Sequence, residues 1–263
     1  MDLSTARHAF ITGGASGIGL GLADALAARG IRVTIADING EAAHHLAQTR
    51  GEGFQALKLD VRDIGDWQAA KAAAEATFGA VDIFINNAGI APDGLELADM
   101  TAESFQRVID INLTGVFHGI STFGAAMRAA GRGYIVNTAS MSGLATDGPG
   151  SGAYGPTKAG VILMSETLRL EMAPYGVGVS VLCPSFVATD LMRNTARVTN
   201  ADKEPAFSLQ DVPVRPADVA RMVLAAMEKD APYIFTNGDR QDAVVERFAE
   251  ITHAHRQQFP GSS

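Results

Sequence analysis

With a single cysteine, Cys183, the chain can form no internal disulfide, so its stability has to come from a packed core. A chain of 263 residues is long enough to supply one, because at this size roughly three quarters of the unfolded surface is buried on folding. Cys183 closes the apolar run Val177 to Cys183 and reads as a buried strand residue, not a reactive thiol. Positive charge is also scarce: 21 Lys and Arg stand against 29 Asp and Glu, a net charge of −8. That balance argues against nucleic acid or anionic lipid as the main partner, since both need clustered cations. No apolar run approaches membrane-spanning length. The polar start, Met1 to His8, leaves no room for the apolar segment of a signal peptide. A cytoplasmic protein is therefore expected. The six histidines have no acid or thiol partners at metal-ligand spacing, so no metal is expected either. Small molecules become the default partners.

What is present is an ordinary globular composition, 47% hydrophobic and 19% charged, arranged as alternating strand-like and helix-like segments. Apolar runs at Ala9 to Thr12, Ile31 to Asp37, Phe54 to Leu59, Ile83 to Asn86, Tyr134 to Asn137, Val177 to Cys183 and Tyr233 to Phe235 read as strands. Helical periodicity separates them at Ile18 to Arg29, Gly40 to Gln48, Asp66 to Phe78, Glu103 to Ala129 and Gly155 to Ala173. Strands joined through helices pair in parallel, because the helix supplies the crossover. The expected fold is α/β: one doubly wound, Rossmann-type parallel sheet of about seven strands flanked by helices, a single domain over 1–263. Pro184 to Pro216 reads as one long irregular stretch, expected to be a lid. Asp239 to Gln258 carries Val244, Val245, Phe248 and Ile251 in an amphipathic helical pattern.

The glycine-rich turn Thr12-Gly13-Gly14-Ala15-Ser16-Gly17-Ile18-Gly19 lies between the first strand and the first helix. Glycines there let backbone amides approach a pyrophosphate at the positive end of the helix. Alone, such a turn serves equally well as a plain connection. Asp37, 18 residues after Gly19 at the end of the second strand, sits where an acid hydrogen-bonds the adenosine ribose hydroxyls of NAD. Its carboxylate repels a 2′-phosphate, and neither Ala15-Ser16 nor Ile38-Asn39 supplies a neutralising cation. NAD is expected over NADP.

The spacing Gly13-x-x-x-Gly17-x-Gly19, the strand-end Asn86-Asn87-Ala88-Gly89, and Tyr154-x-x-x-Lys158 with Ser140 14 residues before the tyrosine resemble the short-chain dehydrogenase/reductase family. The resemblance runs from about Ala9 to Thr189. It implies that Asn112, in a kinked helix, completes a catalytic tetrad with Ser140, Tyr154 and Lys158. It further implies that Asp60 and Val61 contact adenine and that Asn87, Ala88 and Gly89 line the cofactor cleft. Pro184, Val187 and Thr189 would meet the nicotinamide end, with Tyr154 and Lys158 beside it. A homo-oligomer, dimer or tetramer, is implied through the helices Glu103 to Ala129 and Gly155 to Ala173. Two departures stand out: after Pro184, where the family usually has glycine, the chain has Ser185 and runs on Pro184-Ser185-Phe186-Val187, and the chain continues well past the last strand.

Elementary chemistry asks for the same residue types. Hydride addition to a carbonyl leaves an alkoxide that needs a hydrogen-bond donor and a positioned acid. Ser140 can be the donor and Tyr154 the acid, working as base in the oxidative direction. A tyrosine titrates near pH 10, and an ammonium at about 4 Å supplies the roughly 4 kcal/mol needed to bring it near neutrality. Lys158, four residues on, shares its helix face. Pro156 fixes the start of that helix close to Tyr154, because proline is tolerated in the first turn. The expected substrate is a secondary alcohol or its ketone. Met141, Leu144, Phe186, Leu191 and Met192 favour an apolar or aryl-bearing one, whereas Arg193 and Arg197 would instead suit a substrate carboxylate. The rival reading is a nucleotide-sensing or scaffolding protein that kept the fold and lost catalysis. Finally, the tail's apolar residues are expected to pack, and the segment from Asp239 onward to help close the substrate pocket.

Overall fold

A computed structural model describes residues 1–199 and 214–259. Seven strands form its centre: β1 (His8–Thr12), β2 (Arg32–Asp37), β3 (Phe54–Lys58), β4 (Ile83–Asn86), β5 (Gly133–Thr138), β6 (Val177–Cys183) and β7 (Tyr233–Phe235). The helices are α1 (Gly17–Ala27), α2 (Gly40–Arg50), α3 (Ile64–Phe78), α4 (Ala102–Ile109), α5 (Gly115–Ala130), α6 (Tyr154–Met172), α7 (Leu191–Thr199), α8 (Pro216–Glu228) and α9 (Gln241–Gln258). All strands run parallel in the order β3-β2-β1-β4-β5-β6-β7. The chain builds outward from β1 to β3, then returns to β1's other edge and builds outward again. The reversal between β1 and β4 opens a crevice beyond the carboxyl ends of the strands, the usual ligand position in such sheets.

Alternation along each strand divides the core into two layers. β1 sends Ala9 and Ile11 to one face and Phe10 to the other. On the first face they meet Leu22 and Leu26 of α1 and Val219 and Val223 of α8. On the second, Phe10 and Phe84 pack on Phe123 of α5 with ring centroids 4.9 and 4.6 Å apart, and Trp67 of α3 closes the cluster. Both faces being covered is why the central strands read as near-continuous apolar runs. A buried polar chain crosses this layer. Asn86 Nδ2 donates to Asn137 Oδ1 (3.1 Å), and Asn137 Nδ2 donates to Ser165 Oγ (3.0 Å), so β4 and β5 are fixed to α6.

Two expectations change, and the implied kink at Asn112 takes a definite form. Pro184 to Pro216 is not one irregular stretch, since α7 occupies Leu191–Thr199; residues 200–213 of that proposed lid lie outside the described residues. Glu103 to Ala129 is interrupted by a π-helical turn over Asp110–Thr114. The tail is helical, but its apolar stripe is largely unpacked: Val244 reaches the core, whereas Val245, Phe248 and Ile251 are 60%, 50% and 53% exposed. Periodicity specifies a helix and its apolar face, and here α9 carries that face clear of the body of the domain.

Candidate active site

The glycine turn is shaped by contacts that only glycine allows. Gly13 and Gly17 have φ of +61° and +51°, and a Cβ on Gly19 would lie 2.2 Å from the Gly13 carbonyl oxygen. The turn is then tied to its neighbours. Thr12 Oγ1 accepts from the amides of Asn87 (2.9 Å) and Ala88 (3.1 Å), while Asn87 Nδ2 donates to Thr12 O (3.0 Å). Asp37 Oδ2 accepts from Ala15 N at 3.1 Å, so the strand-end acid and the turn form one unit. Asn39, Asp63 and Thr101 cap α2, α3 and α4 with side-chain hydrogen bonds, but Ser16 makes no such bond to α1. The first-turn amides of α1 are thereby left facing the crevice, where an anion would satisfy them.

At the other end stand the residues expected to do chemistry. Tyr154 opens α6, with Pro156 in its first turn as the sequence requires. Lys158, one turn on, is buried; its Nζ donates to Thr138 O at 3.0 Å and lies 5.7 Å from the Tyr154 ring centroid. Ser140 Oγ accepts from Ser142 N at 3.1 Å. Asn112 sits in the π turn, a feature common at functional sites. Its side chain is fully buried, accepting from Ile90 N (2.8 Å) and donating to Ile90 O (2.9 Å). It therefore lies behind the cleft wall. Gly89 leaves room between it and the lysine, since a Cβ there would be 3.1 Å from Asn112 Oδ1 and 3.4 Å from Lys158 Nζ.

A cavity of about 980 Å³ joins the two ends. Gly13, Ser16, Gly17, Ile18, Asp37, Asp60, Val61, Asn87, Ala88 and Gly89 line it at the turn end; Ser140, Tyr154, Lys158, Pro184, Val187 and Thr189 line it at the other. Gly19 and Asn112 are not among the lining residues; each acts from one layer behind. Ser185, in place of the family's glycine after Pro184, lines the cavity without a positive φ, so the replacement imposes no strained backbone. Arg193 is paired with Asp190 at 2.9 Å, and the Arg197 side chain lies outside the described residues. Sequence reading missed Thr138, whose Oγ1 is buried and has no hydrogen-bond partner among the described residues. Two residues before Ser140, Thr138 lines the same cavity, and its unsatisfied hydroxyl lies buried beneath that surface. Missed too were Asp147 and Arg240, an ion pair on the rim. An elongated crevice with free helix-end amides at the glycine turn and a strand-end carboxylate beside them fits a dinucleotide.

The electrostatics correct one expectation. Burial pushes the Tyr154 phenol up, and the Ser140 hydroxyl draws it part-way back, so the protein alone does not bring it toward neutrality. The lysine's Nζ is engaged by the Thr138 carbonyl, and burial lowers its own ammonium to about 8. A buried amine whose pKa falls from 10.5 to about 8 binds fewer protons folded than unfolded between those values, so its burial penalty is relieved as pH rises through that window. In the absence of dinucleotide, Lys158→Met should therefore exceed the wild type in unfolding free energy near neutral pH. Its lead should shrink by about 3 kcal/mol by the top of the window, at about 1.4 kcal/mol per pH unit. Urea midpoints at the two pH values read this directly, and a constant lead would show that the ammonium is not desolvated.

The family described as short chain dehydrogenase matches residues 7–200. The chain belongs to the short-chain dehydrogenase family. As a short-chain dehydrogenase it is an oxidoreductase acting on CH–OH groups. It is 32% identical over 244 residues to the oxidoreductase UcpA of Salmonella typhimurium, covering 89% of this chain and 92% of that one. It is 34% identical over 231 residues to a cyclohexanol dehydrogenase of an Acinetobacter species, covering 87% and 90%. A short-chain dehydrogenase/reductase from Burkholderia phymatum, solved in complex with NAD, superposes with a TM-score of 0.87 at 29% identity, covering 97% of both chains. The seven-stranded parallel sheet is the Rossmann-type fold expected from the sequence.

Proposed function

We propose that the protein interconverts an uncharged secondary alcohol and its ketone with NAD as hydride carrier and Tyr154 as acid and base. The observation that carries this reading is a single cavity lined by Asp37 and the glycine turn at one end and by Ser140, Tyr154 and Lys158 at the other. Bound there, the nicotinamide supplies or accepts the hydride. The chain's own residues do the rest. Ser140 Oγ donates to the substrate oxygen, and Tyr154 gives that oxygen its proton in reduction or removes it in oxidation. The Lys158 ammonium, held by the Thr138 carbonyl, stabilises the phenolate that remains. Asn112 holds Ile90 and thereby the wall beside the lysine. α7 bridges the crevice, since Asn194 Nδ2 donates to Ser16 Oγ (3.1 Å) and Thr195 Oγ1 accepts from Ala91 N (2.8 Å). The lid reading of this region rests on those contacts.

Substrate preference is read from the same cavity. Met141, Phe186, Leu191 and Met192 line it, whereas Leu144, expected with them, packs in the core instead; its rim arginines Arg193 and Arg240 are each paired with an aspartate. An apolar, uncharged alcohol suits such a lining better than a hydroxy acid, and the similarity to a cyclohexanol dehydrogenase supports the same class. A panel of cyclic, aryl and acid-bearing secondary alcohols with NAD+, followed by absorbance of the reduced cofactor, tests it. Cyclic and aryl alcohols should be preferred, and preference for hydroxy acids would reject the assignment.

No helix among the described residues is long and apolar enough to cross a membrane. For assembly, the reading is a dimer or tetramer formed through α5 and α6. Phe117 is 53% exposed, Leu163 64% and Leu170 78%, an apolar surface that costs about 25 cal/mol per Å² to leave in water. Glutamate at both Leu163 and Leu170 should reduce the mass measured by light scattering to that of a smaller assembly or a monomer. An unchanged mass would place the interface elsewhere.

A further inference from the structure

The segment after β7 ties two walls of the cleft together. Arg240 forms an ion pair with Asp147, 93 residues away, and its Nη2 donates to Thr146 O (3.0 Å) and Ala145 O (3.3 Å). Farther along α9, Arg247 Nη1 donates to Leu144 O at 2.7 Å. On the opposite wall, Ser185 Oγ donates to Asp239 Oδ2 (2.7 Å), and Ser185 N donates to Thr236 Oγ1 (3.2 Å). Leu144 to Asp147 lies between Ser140 and Tyr154 in the chain, and Asp147 at its end lines the cleft, so the segment's placement fixes where that acid stands. The loop that follows holds Gly148, Gly150 and Gly152, all at positive φ, and has little apolar side chain of its own to pack. Charge-assisted bonds from arginine to three successive carbonyls, Leu144 to Thr146, take the place of that packing.

The geometry points to Arg240 as a positioning residue that clamps the Leu144–Asp147 wall to the carboxyl-terminal segment, and to the Asp147–Arg240 pair as the determinant that keeps anionic alcohols out. This rests on the oxidoreductase reading above. The Arg240 side chain is only 18% exposed and is matched by an acid, so the rim it presents to substrate carries no net charge. Neutralising Asp147 would leave the guanidinium bonded to its two carbonyls but without a counter-charge, and specificity would follow that change in charge.

Three variants of the full-length protein test the inference: Arg240→Leu, Arg240→Lys and Asp147→Asn. Hydrogen exchange of the Leu144–Gly152 amides should be faster in Arg240→Leu and partly restored in Arg240→Lys. With a neutral cyclic alcohol, Arg240→Leu should raise KM about tenfold, with kcat and the Kd for NADH changing by less than about threefold. In Asp147→Asn, kcat/KM for a hydroxycyclohexane carboxylate relative to cyclohexanol should rise about tenfold. Unchanged exchange in Arg240→Leu overturns the clamp whether or not any alcohol is turned over. Faster exchange with an unchanged KM overturns the positioning role, and an unmoved ratio in Asp147→Asn overturns the charge filter, each leaving the oxidoreductase reading intact. A wild type inert toward every alcohol would count against that reading instead, and the exchange comparison would still decide the clamp.

Discussion

Replacing Tyr154 with phenylalanine is expected to lower turnover by about 10²-fold or more, the usual scale for losing a general acid or base, with the Kd for NADH little changed. The residue contributes one hydroxyl to the site, and its ring, half-buried at the start of α6, is retained in the variant. Binding relies on parts of the cavity remote from that hydroxyl, among them the glycine turn and Asp37. The residual rate should come from Ser140 and from proximity alone, because orientation of the reactants survives the substitution. Fluorescence titration with NADH separates the two effects. Turnover near the wild-type value would remove Tyr154 from the mechanism. Tight NADH binding by a wild type that turns over no alcohol would favour a nucleotide-sensing role on the same fold.

The strands were legible because each central one is buried on both faces. Ile83–Asn86 and Val177–Cys183 are near-continuous apolar runs, and glycine or proline punctuates the turns between them. The candidate site residues stood out for a different reason: within Gly13 to Gly19, and within Ser140, Tyr154 and Lys158, residues that share one part of the cavity are close in sequence, so spacing carries the local geometry. α7 was less visible. Its nine residues mix Leu191 and Met192 with Arg193, Asn194 and Thr195, and a helix this short depends on the contacts that Asn194 and Thr195 make across the crevice. Arg240 and Asp147 were invisible because 93 residues separate them, and a pair that distant has no spacing signature. The tail shows the limit of periodicity. The pattern of Val244, Phe248 and Ile251 specifies a helix with an apolar face and says nothing of what that face meets.

Substituting Asp37 is the second large effect, and it bears on which dinucleotide is used. The wild type should favour NAD+ over NADP+ in kcat/KM, and Asp37→Ser should narrow that gap by about 10²-fold. Two like charges about 5 Å apart at an effective dielectric near 20 repel by roughly 3 kcal/mol, which is about a hundredfold in an equilibrium constant. The carboxylate is half-buried at the end of β2, and its two oxygens already accept from Ala15 N (3.1 Å) and Asn39 N (3.0 Å). Burial raises its pKa, and these two backbone bonds oppose that rise. The remaining lone pairs stay free for ribose hydroxyls. The arginine at this end of the cleft, Arg62, is held bidentately by Asp60 and so is not poised to neutralise a 2′-phosphate. Serine removes the charge but also weakens the anchor on Ala15, which would loosen the glycine turn for both cofactors. Asp37→Asn separates these contributions, because its amide oxygen still accepts one of the two backbone bonds. If charge is what discriminates, asparagine should narrow the NAD+ to NADP+ gap nearly as far as serine while losing less NAD+ activity. A wild type that prefers NADP+, or an asparagine variant with wild-type selectivity, would show that the strand-end acid does not set the choice of cofactor.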